Sequence, residues 1–229
     1  MTSAGLAALV TRIAADMADE AERGTVAQYI PELAKVDPAR FALAVALPSG
    51  EVFSAGDAET PFSIQSISKV FTLAIALGRL GDALWKRVGR EPSGLAFNSI
   101  LQLESEAGIP RNPFVNAGAI VVTDAILAGH APKVVLAELL AFIRAAAEDE
   151  DIHINKSVAR SEQATAHRNT ALAEFMAAHG NLKNPSALTI GTYVHQCAVE
   201  MTAVQLARAG RFLVGAPGCP RMVSPARAR

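Results

Sequence analysis

The chain has 229 residues, 51% hydrophobic and 19% charged, with a formal net charge of −1. That supplies a substantial core and excludes a disordered chain, and the near-zero charge excludes a global basic field that would gather nucleic acid. Cys197 and Cys219 form no Cys-x-x-Cys pair, and His130, His153, His167, His179 and His195 fall at no ligand spacing, so no metal or other cofactor is expected.

Two cysteines are too few for a disulfide framework and fit a reducing compartment. Residues 1–10 lack a basic segment followed by a long apolar one, and the longest apolar runs fall short of the roughly 20 residues a membrane helix needs. A cytoplasmic protein without a membrane partner is expected. The basic tail, Arg221, Arg227 and Arg229, reads as a solvated end.

Leu6, Leu9, Val10, Ile13 and Met17 recur at helical spacing, with Arg12, Asp16 and Asp19 off that stripe, and predict an amphipathic helix ended by Gly24. Residues 25–34 form a connector that Pro31 keeps from being one plain helix. The apolar run 41–47, the turn Pro48-Ser49-Gly50 and the return 51–54 predict a β-hairpin.

Next comes Pro61-Phe62-Ser63-Ile64-Gln65-Ser66-Ile67-Ser68-Lys69, leading into an apolar run at 70–77 whose one polar break is Thr72. A helix here is buried on most sides. Ser66 and Lys69, three residues apart, share a helix face one turn apart. Burial lowers a lysine pKa, so Lys69 can act as a base toward the Ser66 hydroxyl and make it a nucleophile. Ser-x-x-Lys also recurs by chance, and Ser63 or Ser66 could serve simply as a helix cap.

Residues 80–90 predict a helix with Trp85 and Val88 inward, and 91–94 a turn. Residues 101–108 read as a polar connector, and the loop 110–113 feeds 115–122. A strong helix is predicted over 134–147, and a helical pattern over 157–178, with Ser161 placed to cap a later start. Residues 188–206 are helical or mixed, and turn residues dominate after Gly210. A lone hairpin is marginally stable, so its partner strands either come from elsewhere in the chain or are missing.

Some polar residues stand where apolar ones would pack more cheaply. Asn116 interrupts an apolar stretch; a buried amide must be hydrogen-bonded or it costs about 1–3 kcal/mol. It could equally cap a helix or turn. Glu162 and Asn169, seven residues apart, share a face on a continuous helix; the carboxylate can accept from an ammonium, and both could instead be exposed helix residues. Tyr29 and Tyr193, the two tyrosines, suit either a pocket or the core.

These stretches together resemble the serine-dependent glutaminases, which hydrolyse L-glutamine to glutamate and ammonia. The resemblance rests on Tyr29-Ile30-Pro31-Glu32-Leu33-Ala34, on the Ser66 and Lys69 block, and on Glu91-Pro92-Ser93-Gly94-Leu95-Ala96-Phe97-Asn98. It continues through Asn112-Pro113-Phe114-Val115-Asn116-Ala117-Gly118-Ala119-Ile120, then Ser161-Glu162 with Arg168-Asn169, and Tyr193 with Cys197. Ordered blocks at compatible spacing are far more specific than one Ser-x-x-Lys. The resemblance implies an α+β fold similar to the β-lactamases and penicillin-binding enzymes, an antiparallel sheet packed beside a helical cluster, as one domain over residues 1–229. It implies Ser66 as nucleophile, Lys69 as base and Tyr29 near the reacting centre. Asn116, Glu162, Asn169 and Tyr193, with Ser66, would hold the substrate L-glutamine. It also implies a homo-oligomer, a dimer or tetramer.

One departure stands out. The family pattern continues into a further tyrosine and a Lys-Ser-Gly strand that gives a second oxyanion donor, whereas here Lys156-Ser157 is followed by Val158 and the chain stops at Arg229. The expectation is a domain truncated at its C-terminal end, without its last strands and impaired in turnover. Two alternatives share the motif: an inactive truncated paralogue that assembles with a full-length copy, and a penicillin-recognising serine hydrolase.

Overall fold

The computed structural model describes residues 2–20, 22 and 24–215; Cys219 and the basic tail lie outside them. Helix α1 (Ser3–Ala18) starts at Thr2, whose hydroxyl accepts from the Gly5 N–H at 3.2 Å. It stops before Gly24 because Asp19 and Glu20 follow, and acidic side chains oppose the negative end of the helix dipole.

Strands β1 (Ala42–Ala46) and β2 (Val52–Gly56) form the predicted antiparallel hairpin, with Ala44 opposite Ser54. Strand β3 (Phe62–Ser63), a 3₁₀ turn at Gln65–Ile67 and α2 (Ser68–Leu80) carry the Ser66 block. Where a helix over 80–90 is predicted, Gly81 takes φ 53°, and the chain continues as a 3₁₀ turn, Gly81–Lys86. Leu84 and Val88 are buried there, while Trp85 is half-buried beneath the Arg90 guanidinium. The predicted connector at 101–108 contains a short helix, α3 (Leu101–Ser105), anchored by buried Leu103.

Helix α4 (Asn116–Leu127) is the centre of the molecule, and every one of its residues is buried. It packs on α2, on α5 (Pro132–Ala147), and on the helices at His167–Ala178 and Ser186–Cys197. Gly118 is required by this packing: a β-carbon there would lie 1.8 Å from the Asn112 carbonyl oxygen. After β4 (His153–Ile154), Asn155 rather than Ser161 is the cap; its Oδ1 accepts from the N–H groups of Ser157 and Val158.

The pattern over 157–178 is two helices, α6 (Lys156–Ala164) and α7 (His167–Ala178). They part at Thr165, whose hydroxyl bonds back to the carbonyls of Ser161 and Glu162. The mixed stretch resolves into α8 (Ser186–Cys197), β5 (Val199–Met201) and α9 (Ala203–Gly210). A reciprocal Thr202–Gln205 capping box starts α9.

Strand β5 lies between β3 and β4, both antiparallel to it, as a second small sheet. The hairpin is held separately, by α1 and α9. The fold is therefore α+β, as expected, with two small sheets where the sequence suggests one. Among the described residues no single helix is long and apolar enough to cross a membrane.

The helical cluster is pinned at Asp124 on α4, which is fully buried. Its carboxylate accepts from the Arg87 guanidinium at 2.5 Å, from the N–H groups of Lys183 and Asn184, and from the Asn184 amide. Burial alone would raise its pKa; the hydrogen bonds from Arg87, Asn184 and Lys183 overcome that and hold it below the usual carboxylate range. A lowered pKa gives stability that is present above the ordinary carboxylate pKa and is lost as pH falls. Asp124→Ala leaves the Arg87 guanidinium without its carboxylate, with Asn181 as its remaining partner, and two backbone donors unpaired, and should lower unfolding free energy by roughly 3–5 kcal/mol at pH 7 in urea titrations. A loss under about 1 kcal/mol would show that the cluster does not depend on this carboxylate.

Candidate active site

The site begins at a strained turn. Gln65 takes φ 47°, a left-handed conformation that costs a residue with a side chain about 1–2 kcal/mol. Two contacts hold it: the buried Ser68 hydroxyl donates to the Gln65 carbonyl at 2.7 Å, and Gln65 Nε2 donates to Ser63 Oγ at 3.1 Å. Ser66 follows at once. It sits in the 3₁₀ turn before α2 rather than on the helix proper, yet i and i+3 side chains nearly eclipse in such a turn, so Ser66 and Lys69 still share a face. No side chain caps α2, so capping does not account for Ser63 or Ser66. Ser66 is exposed.

Lys69 is the opposite, with 3% of its surface exposed. Its Nζ donates to the Phe114 carbonyl at 3.0 Å and to Asn116 Oδ1 at 2.8 Å. Burial lowers its pKa, against the opposing influence of Cys197 and Glu162. No hydrogen bond joins Nζ to Ser66 Oγ in this state. Once deprotonated, such an amine would have two N–H bonds and one lone pair; these two acceptors could take both N–H bonds and leave the lone pair for a proton. Asn116 in turn donates from Nδ2 to Asn169 Oδ1 at 3.0 Å, so its buried amide is bonded on both sides.

Glu162 lies on α6 and Asn169 on α7, not on one continuous helix. The break at Thr165 still turns both toward one cavity of about 310 Å³. Ser66, Asn116, Tyr29 and Tyr193 line it too, so six of the seven predicted residues meet there, with Lys69 reached through Asn116. That volume suits a ligand of amino-acid size.

Glu162 is 6% exposed, and its Oε2 has no hydrogen-bond partner. Burial pushes its pKa up to about 7, although Cys197, Gln65 and Lys69 pull the other way. Tyr193 is 2% exposed, and burial raises its pKa well above the usual phenol value. Tyr29 stands at the mouth, 69% exposed; what burial it has, and then Glu162, raise its pKa. Both phenols therefore stay protonated near neutrality. Cys197 is buried beside them, and burial pushes its thiol up so that it too stays protonated.

The cavity also takes in Gln65, Phe97, Asn98 and Arg168, which the residue-by-residue reading did not single out. Their signal was position: each belongs to a block that carries the resemblance. The Phe114 carbonyl that holds Lys69 has no side-chain signal at all. A larger cavity of about 610 Å³ lies between the hairpin and β3, but it holds neither Ser66 nor Lys69. Among the described residues, no three His, Cys, Asp or Glu side chains come together as a metal site.

A family model described as Glutaminase matches residues 24–226. A glutaminase of Methylobacterium radiotolerans is 59% identical over 208 residues, which is 91% of this chain and 67% of that protein. A thermolabile glutaminase of Rhizobium etli is 56% identical over 230 residues, 99% of this chain and 74% of that one. Among solved structures, a probable glutaminase, ybaS, superposes with a TM-score of 0.90 at 32% identity, covering 100% of this chain and 74% of its own. Mglu in its glutamate form superposes with a TM-score of 0.87 at 34% identity, covering 97% of this chain and 52% of its own. The fold is thus the β-lactamase-like one that the resemblance implies, and by sequence and structure together the chain belongs to the glutaminase family.

Proposed function

We propose that this chain hydrolyses L-glutamine to L-glutamate and ammonia with Ser66 as the nucleophile and Lys69 as its base. The observation that carries the reading is the pairing of an exposed hydroxyl with a buried amine that already donates to two acceptors. Ser66 Oγ forms a bond to the carboxamide carbon of glutamine while its proton passes to the Lys69 lone pair. The Ser66 N–H, left without an intrahelical partner at the start of the turn, stabilises the developing oxyanion. Collapse breaks the C–N bond, and the Lys69 proton leaves with the ammonia. Water then attacks the acyl ester, giving up a proton to Lys69, and glutamate departs as Ser66 Oγ takes that proton back.

Glu162 supports selection of an amino acid. Its orphaned oxygen accepts from the α-ammonium group in this reading, while Asn116, Asn169 and Tyr193 orient the remainder of the substrate and Tyr29 closes the mouth over the reacting centre. We read the protein as a cytoplasmic homo-oligomer, as the resemblance implies.

Ser66→Ala should lower ammonia release from glutamine by at least about 10³-fold, as loss of a nucleophile does. An electrophilic glutamine analogue should leave its covalent adduct on Ser66 in mass spectra; an adduct on another residue would overturn the assignment.

The raised Glu162 pKa makes a second, separate prediction. In the empty protein Glu162 holds its proton up to about pH 7, while in the unfolded chain it releases it near 4.5. The folded state therefore binds more protons across that window, and stability falls as pH rises through it. Glu162→Gln does not titrate. Its stability relative to wild type should rise between pH 4.5 and 7 by up to about 3 kcal/mol, read from melting at pH 5 and pH 8. A difference that stays constant with pH would mean that Glu162 titrates normally. Glutamine affinity should change in the opposite sense, strengthening as pH rises through about 7, because the ammonium requires the carboxylate.

A further inference from the structure

Residues 92–100 form one wall of the pocket through Phe97 and Asn98, and they contain no helix or strand. Leu95, Ala96 and Phe97 are exposed and Ile100, at the segment's end, is only partly buried against the core, so little apolar burial holds the pocket-facing part of this wall in place. Most of its hydrogen bonds are local, such as Ser99 N–H to the Ala96 carbonyl and Ser93 Oγ to the Leu95 carbonyl and to Gln102. Among the described residues, two bonds tie it to the helical body. The Asn116 N–H donates to the Phe97 carbonyl at 2.8 Å, and Arg168 Nε donates to the Asn98 carbonyl at 2.9 Å.

Those two anchors are already joined to each other. Arg168 precedes Asn169 on α7, and Asn169 accepts from Asn116 on α4. The wall, α4 and α7 therefore close a frame of three hydrogen bonds around the pocket. Asn116 supplies the donor of two of them, one from its backbone and one from its side chain. The third comes from the exposed side chain of Arg168, whose removal leaves the others in place.

We propose that Arg168 is a positioning residue for substrate binding: it latches the Asn98 carbonyl and so fixes the pocket wall that glutamine packs against. The part concerning glutamine rests on the glutaminase reading above; the latch itself does not. An unlatched wall opens locally, and substrate must then close it on binding, which weakens affinity without altering the reacting groups.

Hydrogen exchange and kinetics on Arg168→Met and Arg168→Lys separate these parts. Met keeps the length and loses the donor; Lys keeps the charge and can donate, but lacks the planar guanidinium fork. In Arg168→Met the amides of residues 95–100 should exchange about tenfold faster, with those of α5 unchanged. KM for glutamine should rise about tenfold, with kcat held within about threefold. Arg168→Lys should lie between, about threefold on both readouts. Unchanged exchange at 95–100 in both variants overturns the latch, and so does a fall in kcat at constant KM. If Arg168→Met fails to fold, Arg168→Lys decides by the same exchange measurement. If the wild type releases no ammonia, the catalytic reading fails, while exchange and glutamate affinity still decide the latch.

Discussion

A lysine amine buried in an apolar helix must find acceptors or lose its proton, and Lys69 finds acceptors. Its acceptors are the Phe114 carbonyl and the Asn116 side chain, both at the entry to α4. That requirement reaches far into the fold. Phe114 and Asn116 present their oxygens to Lys69 only because the Asn112–Pro113 turn lies close against α4, and it does so only because residue 118 has no β-carbon. The same Asn116 passes the arrangement on to Asn169 and, through its backbone, to Phe97. One buried amine thus organises a loop, two helices and a pocket wall.

The sequence makes the chemistry of this centre more legible than its geometry. A Ser-x-x-Lys ahead of an apolar helix, an Asn inside an apolar run and a glutamate near an asparagine are visible as residue types, because polar groups in such company need partners. Their convergence is not visible. Glu162 and Asn169 read as neighbours on one helix, yet they meet across a break that Thr165 makes by bonding its own backbone. The right pairing follows from a wrong local picture, since both arrangements put the two side chains on the same side of the chain. Residues 188–206 show the reverse. Strand β5 is three residues long and is a strand by virtue of β3 and β4 on either side, a fact of tertiary pairing that no local period records. Helix α4 is a third case. Buried on every side, it has no polar face, and a helix without amphipathic contrast cannot be told from a strand by period.

Two buried carboxylates in this core differ in how completely they are paired. Asp124 is supplied with donors from a guanidinium, an amide and two backbone N–H groups, and its charge is held at low pH. Glu162 is also buried, but one of its oxygens has no donor, and its proton is held up to about pH 7. The same desolvation acts on both; the difference is the donor set. A fold selected only for stability would complete the second network as it completes the first, or replace the carboxyl with an apolar side chain. An incomplete network facing a cavity is a place where a cationic ligand supplies the missing donors and relieves the cost of burial when it binds. In the proposed function the unpaired oxygen of Glu162 and the amine of Lys69 are counterparts: the one would receive the ammonium that orients the substrate, the other the proton that begins its cleavage.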